Sequence, residues 1–591
     1  MDESLRERAR PAPKRLTVTG PPPSIGFLVD CLDDSHYQWA VLRGAMDAAY
    51  DRGAHLLCFV GGVLDAPSPD GGARNSVFDL ARPKNVDALI LLSGSIGKRA
   101  GLARLGEYCK RYQAMPVCSV AVELDGMSSV CIDNEVGMQA VLEHLVRVHG
   151  TERIAFVRGP QANSEAERRF AVYRGVLEKN GIAYSDQRVV QGDFEQASGK
   201  NAVRVLLEDR GLRPQDIGAI AAANDCMAFG VLDELAARGI RVPDEVTVVG
   251  FDDAEEARFT LPPLTTVRQP LYEQGRDAVR IVLDQLRNGV RPERVVRHTE
   301  LVARRSCGCM TAHSSTTRVS EAPGARLGFE ASLIRRREII LAEMSRAARG
   351  ELSAAGAHWD ERLLGAFAEQ IRAEGSDAFV RAYDELLRRL SASGVDPSVC
   401  NDVVSALRSR MVRCLAGDPQ RRARAEDLFH EARVMTAHVI DRVQAERRMH
   451  TWKSARSLGR AAADIASARD ADELALAVRA NLPALGIPRC FVLEWGAPEG
   501  AGRSARLALV QKPDGRAQAA PSQATYPAGE ILRQHVLPKM GEHAFAILPM
   551  TFEGKDLGLL VLELGAVDGY LYETLREVFT AVLARASGPA A

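Results

Sequence analysis

From residue 24 to about 306, short apolar runs of strand length alternate with longer stretches whose apolar residues recur at helical spacing. The run SIGFLVD (24–30) precedes a stretch near 36–52 in which Trp39, Leu42, Ala45, Met46 and Ala49 share one helical face. Further strand-like runs lie at 54–61, 86–94, 115–122, 128–133, 153–159, 192–194, 217–225 and 246–253. Helical stretches are expected near 135–148, 164–180, 196–210 and 226–238. Strands that are apolar throughout are buried on both faces, which implies parallel sheets covered by helices. So many strands in about 280 residues suit two lobes better than one sheet.

The pattern then changes twice. Residues 311–326 are polar and read as a linker. Residues 327–468 lack strand signals and carry apolar positions at helical spacing, among them Leu333, Ile340, Leu341, Met344, Phe367, Ile371, Phe379 and Tyr383. About five helices are expected, the last running from about 420 to 466. Residues 469–591 return to mixed structure: a helix at 470–487, strands at 490–496, 504–511, 544–550 and 556–565, and a closing helix near 568–585.

Composition and charge remove several function classes. The 591 residues are 46% hydrophobic, as in ordinary globular proteins, and 76 Lys+Arg balance 77 Asp+Glu. No overall cationic field exists to drive nonspecific nucleic-acid binding. Residues 1–23 form a basic, Pro-rich arm (Arg6, Arg8, Arg10, Lys14, Arg15, then Pro21–Pro23), read as a solvated tail and not as a signal peptide. No run reaches about 18 apolar residues, so a cytoplasmic protein with no membrane span is expected. Eleven dispersed cysteines read as buried, reduced thiols. Phosphate-loop, cyclase, kinase and nucleophile-elbow motifs are all missing, so no catalytic residue and no cofactor are expected.

In parallel sheets ligands sit beyond the carboxyl ends of strands, and polar residues gather there. Asp30 follows the first strand, Ser93 and Ser95 the third; Asn224–Asp225 and Asp252–Asp253 follow later ones. A single such residue is usually a cap or turn former, but several at equivalent ends fit a polar cleft.

The stretches MPV…DN (115–134), RIAFVRGP (153–160), QGDFEQASG (191–199), AAANDCMAFGVLDELAARGIRVPDEVTVVGFDD (221–253) and PPLTTVRQP (262–270) occur in family order. With them, residues 24–310 resemble the two-lobed, periplasmic-binding-protein-like ligand-binding core of the lactose-repressor/galactose-repressor family. The resemblance implies a small-molecule ligand, such as a sugar, a nucleobase or a similar polar metabolite, and a homodimer. It assigns ligand-binding roles to Asp30, Tyr37, Ser93, Arg169, Phe194, Asn224, Asp252 and Gln269. Asp252 matches an acid that holds hydroxyls or amines, Asn224 a polar contact, Phe194 a stacking aromatic and Gln269 a hinge-side residue. Arg169, four residues before Tyr173, suits bidentate recognition. The plain alternatives are a turn former for Asp252, a surface ion pair for Arg169 and a core residue for Phe194. Where many members carry an Asp after the MPV strand, this chain has Ala121, with Glu123 nearby.

Two further features bear on output. The family places a helix-turn-helix before this core, and the 23 residues preceding Ser24 hold no recognition helix. Cys307-Gly308-Cys309 closes the core. Two cysteines make half a zinc site, His313 does not complete it, and no metal is expected. The motif ILPM…GKDLGLLVLEL (547–564) gives residues 469–591 a resemblance to GAF domains. The reading is therefore an α/β core, a helical relay and an α+β GAF-like part, forming a sensor whose lobe closure, about strands near 120 and 265, is relayed to a signalling partner. The alternative is a transcriptional regulator of the same family that contacts DNA directly or through a partner.

Overall fold

The apolar runs become strands because Val, Ile, Leu and Phe pack from both faces onto covering helices. In the computed structural model the residues described are 22–32, 36–309, 328–348, 352, 356–373, 375–393, 395–496, 503–512, 517–519, 525–527, 530–536, 544–565 and 569–586. The expected arm and linker lie almost wholly outside them. The chain divides into one unit of residues 1–308 and 456–591 and a second of residues 309–455.

In the first unit, one lobe is built on a parallel sheet. Its strand order is Arg294–Arg297, Ser128–Ile132, Val117–Val120, Ala88–Leu91, Ser24–Val29 and His55–Val60. Helices His36–Asp51 and Leu271–Asn288 pack against one another beside this sheet. The other lobe has a four-stranded parallel sheet, ordered Val189–Gln191, Ile154–Arg158, Ala219–Ala222 and Thr247–Val249. The strand expected at 192–194 lies just upstream, at Val189–Gln191. Phe194 has φ 75°, which no strand residue adopts, so GDF turns out of the sheet.

The lobes are joined by three segments rather than the two expected near 120 and 265. The chain crosses after Ile132 into helix Asn134–Arg147, again between strand Thr266–Arg268 and helix Leu271–Asn288, and between strands Arg294–Arg297 and Glu300–Val302. Asp133 ties two of them. It accepts from Thr299 N at 2.8 Å and Thr299 Oγ1 at 2.7 Å, and lies 2.7 Å from His298 Nδ1.

Residues 469–591 are expected as a domain of their own. In the structure their sheet continues that of the first lobe. Strand Ala544–Phe552 pairs in parallel with His55–Val60 (Ala544 with Leu56 through Ile547 with Phe59). Beyond it Lys555–Glu563, Cys490–Trp495 and Ser504–Gln511 follow in antiparallel order. An edge strand's unpaired N–H and C=O groups accept any partner strand, so no side-chain signal announces such a join. Both faces of the joined sheet share their cores: Phe579 and Leu575 cluster with Val41 and Ile281 on one side, Ile531 and Val561 with Phe78 and Tyr112 on the other.

The second unit is helical: Phe329–Ala347, Trp359–Arg372, Ala378–Ser393, Val399–Cys414 and the first part of Pro419–Ser467. Phe367 stacks on Phe429 at 5.0 Å and meets Phe379 edge-on at 5.2 Å. Among the described residues no helix is long and apolar enough to cross a membrane.

Candidate functional site

The polar strand ends of the two lobes face each other. On the first lobe, Asp30 is buried at the end of the first strand. It accepts from Ser95 Oγ at 2.5 Å and Gln38 Nε2 at 3.3 Å, with Lys98 Nζ at 3.7 Å. The Ser93 and Ser119 hydroxyls meet at 2.8 Å. Tyr37, on the first helix, sends its hydroxyl into the same space. There it is buried and has no hydrogen-bond partner among the described residues.

On the second lobe, Arg169 is held from three directions and is only 3% exposed. Its Nε donates to Asn134 Oδ1 at 2.8 Å and its Nη1 to the Ala223 carbonyl at 2.7 Å; its guanidinium lies 3.7 Å over the Phe251 ring. Such tethering fixes the planar fork before any ligand arrives. Asp252 Oδ1 stands 3.8 Å from Arg169 Nη1 and accepts from the hinge residue Gln269 at 2.5 Å. Glu165, one helical turn before Arg169, accepts from Asn134 Nδ2 at 3.0 Å and lies 4.0 Å from Arg169 Nη2.

The lobes touch across the cleft. Asn163 Nδ2 donates to the Gly94 carbonyl at 3.2 Å, and Lys98 Nζ reaches Glu195 at 3.3 Å. Gly94 is required by this approach, because a Cβ there would meet Ala121 Cβ at 2.9 Å and Glu165 Oε2 at 3.2 Å.

Backbone strain collects at the same place. Ala121 (φ 76°), Phe194 (φ 75°), Asp252 (φ 138°) and Asp253 (φ 58°) all adopt conformations that side chains disfavour. Each such residue costs on the order of 1–3 kcal/mol and persists where the surroundings over-determine it, typically at ligand clamps.

The electrostatics follow from burial. Desolvation pushes the Asp252 carboxyl up from its ordinary value, and Glu165 adds to this against the opposing pull of Arg169 and Gln269. Asp225 is raised by desolvation and by Asp252. Desolvation also holds the Tyr37 phenol well above its usual range, with Glu165 and Asp252 reinforcing it, so the phenol remains a donor. Burial opposes ionisation of Asp253, but Arg304 and Arg268 outweigh it and hold that carboxyl low.

Of the eight residues expected at the cleft, Arg169, Asp252 and Gln269 gather on one side of the space, with Tyr37, Asp30 and Ser93 on the first-lobe side. Phe194 presents its carbonyl to Asn224 Nδ2 at 3.1 Å and packs its ring on Gly159, where a Cβ would lie 2.4 Å from Phe194 Cε1. Asn224 caps helix Asp225–Ala237, accepting from Met227 N at 3.0 Å, so its amide is engaged at both ends. Glu123, the acid near Ala121, is ion-paired with Arg294 at 2.5 Å on the surface. Sequence reasoning missed Asn134, Glu165 and Lys98. The spacing of Glu165 to Arg169 on one helix face was the available signal.

The model of the periplasmic binding protein-like domain matches residues 142–307. The ribose operon repressor of Escherichia coli (strain K12) is 31% identical over 265 residues, 44% of this chain and 75% of the relative. The HTH-type transcriptional regulator CelR of Thermobifida fusca is 37% identical over 188 residues, 32% of this chain and 54% of the relative. A solved transcriptional regulator CelR–cellobiose complex matches at 28% identity, covering 49% of this chain and 86% of that one with a TM-score of 0.42. By the length and identity shared with the ribose operon repressor, this chain belongs to the lactose-repressor/galactose-repressor family, whose ligand-binding core it carries.

Proposed function

We propose that the chain is a ligand-responsive regulator of transcription whose cleft takes a small polyhydroxylated or similarly polar metabolite. The observation that carries this reading is the buried set Arg169, Glu165 and Asn134 with the partly exposed Asp252, facing Tyr37 and Asp30 across the interlobe space. The carboxylates accept from ligand hydroxyls or amines. The fixed guanidinium and the Tyr37 phenol donate, and Gln269 couples Asp252 to the hinge. A ligand held by both lobes favours the closed arrangement by its differential affinity for it.

The relatives' names, an operon repressor and an HTH-type transcriptional regulator, support gene regulation as the output; contact with DNA and a homodimer belong to the same proposal. A GAF-like relay in residues 469–591 belongs to the same proposal, and the sheet shared with the first lobe supports it.

The test is a thermal-shift screen of the full chain against D-ribose, cellobiose, other sugars, nucleobases and amino acids, followed by calorimetry. A stabilising compound is expected, with Asp252→Ala weakening it at least about tenfold, equivalent to about 1.4 kcal/mol. An empty screen, or binding unchanged in Asp252→Ala, refutes the reading.

A further inference from the structure

The turn that ends the core meets the end of a distant helix. Helix Asn134–Arg147 carries His144 in its last turn, and His149 follows just beyond its end. Cys307 closes a short helical turn, and Gly308 follows in the left-handed region (φ 92°, ψ −7°). That conformation, disfavoured for any residue with a Cβ, folds Cys309 back beside Cys307. A Cβ on Gly308 would make only ordinary contact with the His149 ring at 3.7 Å, so it is the backbone conformation and not space that calls for glycine.

Four donor atoms converge as a result. His144 Nε2 and His149 Nε2 are 3.2 Å apart, and Cys307 Sγ is 3.5 Å from His144 Nε2. With Cys309 Sγ, all four lie within 4.8 Å of one another. The two rings stand edge to face with centroids 4.9 Å apart. A tetrahedral zinc with Zn–N of about 2.05 Å and Zn–S of about 2.3 Å sets ligand edges of about 3.3 Å for N···N and about 3.5 Å for N···S. The His144–His149 and His144–Cys307 edges are within about 0.2 Å of these, and the remaining edges are no longer than 4.8 Å. Imidazole and thiolate are the donors that borderline-soft Zn²⁺ prefers over the oxygen-seeking Ca²⁺ or Mg²⁺.

We infer that His144, His149, Cys307 and Cys309 form a four-coordinate zinc site. Four protein ligands leave no open position, so the site is structural and not catalytic. Binding displaces one proton from each thiol, and two thiolates neutralise the dication. The metal clamps the last residues of the core onto the second lobe. Residues Cys307 and Arg304 already link there: Cys307 Sγ contacts the Arg304 carbonyl at 3.3 Å, and Arg304 pairs with Asp253, next to the cleft's Asp252, at 2.5 Å. The site therefore ties the end of the core to the lobe that carries Asp252. Sequence spacing gives no warning, because the ligand pairs are 163 residues apart from His144 to Cys307.

The test uses the full chain, purified under reductant, stripped with chelator and titrated with Zn²⁺ and Co²⁺. One zinc per chain by elemental analysis is expected, together with the intense visible bands of tetrahedral cobalt and a thiolate-to-cobalt charge-transfer band. His149→Ala and Cys309→Ser should each lower zinc affinity at least about tenfold. Because Cys309 is half-exposed, Cys309→Ser tests the site even where a histidine variant fails to fold. Substoichiometric zinc, a weak octahedral cobalt spectrum, or affinity unchanged in Cys309→Ser overturns the assignment.

Discussion

Removing one oxygen atom from Tyr37 should have effects of opposite sign on stability and on ligand binding. The Tyr37 hydroxyl is buried without a partner among the described residues, close to two second-lobe carboxyls. A buried hydroxyl lacking a hydrogen bond costs about 1–3 kcal/mol, and phenylalanine fills nearly the same volume. Unliganded Tyr37→Phe should therefore be more stable than the wild type by about 1 kcal/mol. With a urea m-value of about 1–3 kcal/mol/M, that raises the midpoint by about 0.3–1 M. In the complex the phenol donates to the ligand, a bond worth about 0.5–1.5 kcal/mol, so Tyr37→Phe should weaken binding about 2- to 13-fold. Urea unfolding of the full chain and calorimetry with a compound from the ligand screen read the two effects independently. A variant destabilised by more than about 1 kcal/mol, with ligand affinity unchanged, would show that the hydroxyl serves packing and would refute the reasoning.

Two further predictions concern the frame around the cleft. Burial raises the Asp225 and Asp252 carboxyls, so the folded state holds more protons there than the unfolded chain, and this contribution to stability is complete below the ordinary carboxylate range, about pH 4, and is lost as pH rises above it through the raised folded-state values. Asp252→Asn should flatten that decline in a pH series of denaturant midpoints, and an unchanged slope counts against the assignment. Helices His36–Asp51 and Leu271–Asn288 cross where a Cβ on Gly44 would lie 1.9 Å from the Tyr272 carbonyl oxygen and one on Gly275 2.0 Å from that of Val41. Gly275→Ala should cost at least about 1–3 kcal/mol by forcing the helices apart, and a variant melting like the wild type would mean the helices are not so close.

The sequence by itself determined the alternation of the core and the positions of its buried strands. An apolar run covered on both faces needs no distant information: its side chains are all inward, as at Phe27 and Val29, or Ile220 and Ala221. It also marked Asp252, because polar residues at strand ends stand out against apolar runs, whereas Arg169 and Gln269 were marked only by the family resemblance. Glu165 was legible in principle as the residue one turn before Arg169, whereas Asn134 looked like any helix-starting asparagine.

The tertiary structure alone decided the rest. It turned Asn224 into a cap engaged at both ends and sent Glu123 to the surface, outcomes set by neighbours from other elements. It joined Ala544–Phe552 to His55–Val60 through backbone groups that every sequence carries. It brought His144 and His149 to the Cys-Gly-Cys turn, where two unremarkable pairs become one cluster of donors. Periodicity records which way each residue faces within its own element. Only packing decides what it faces.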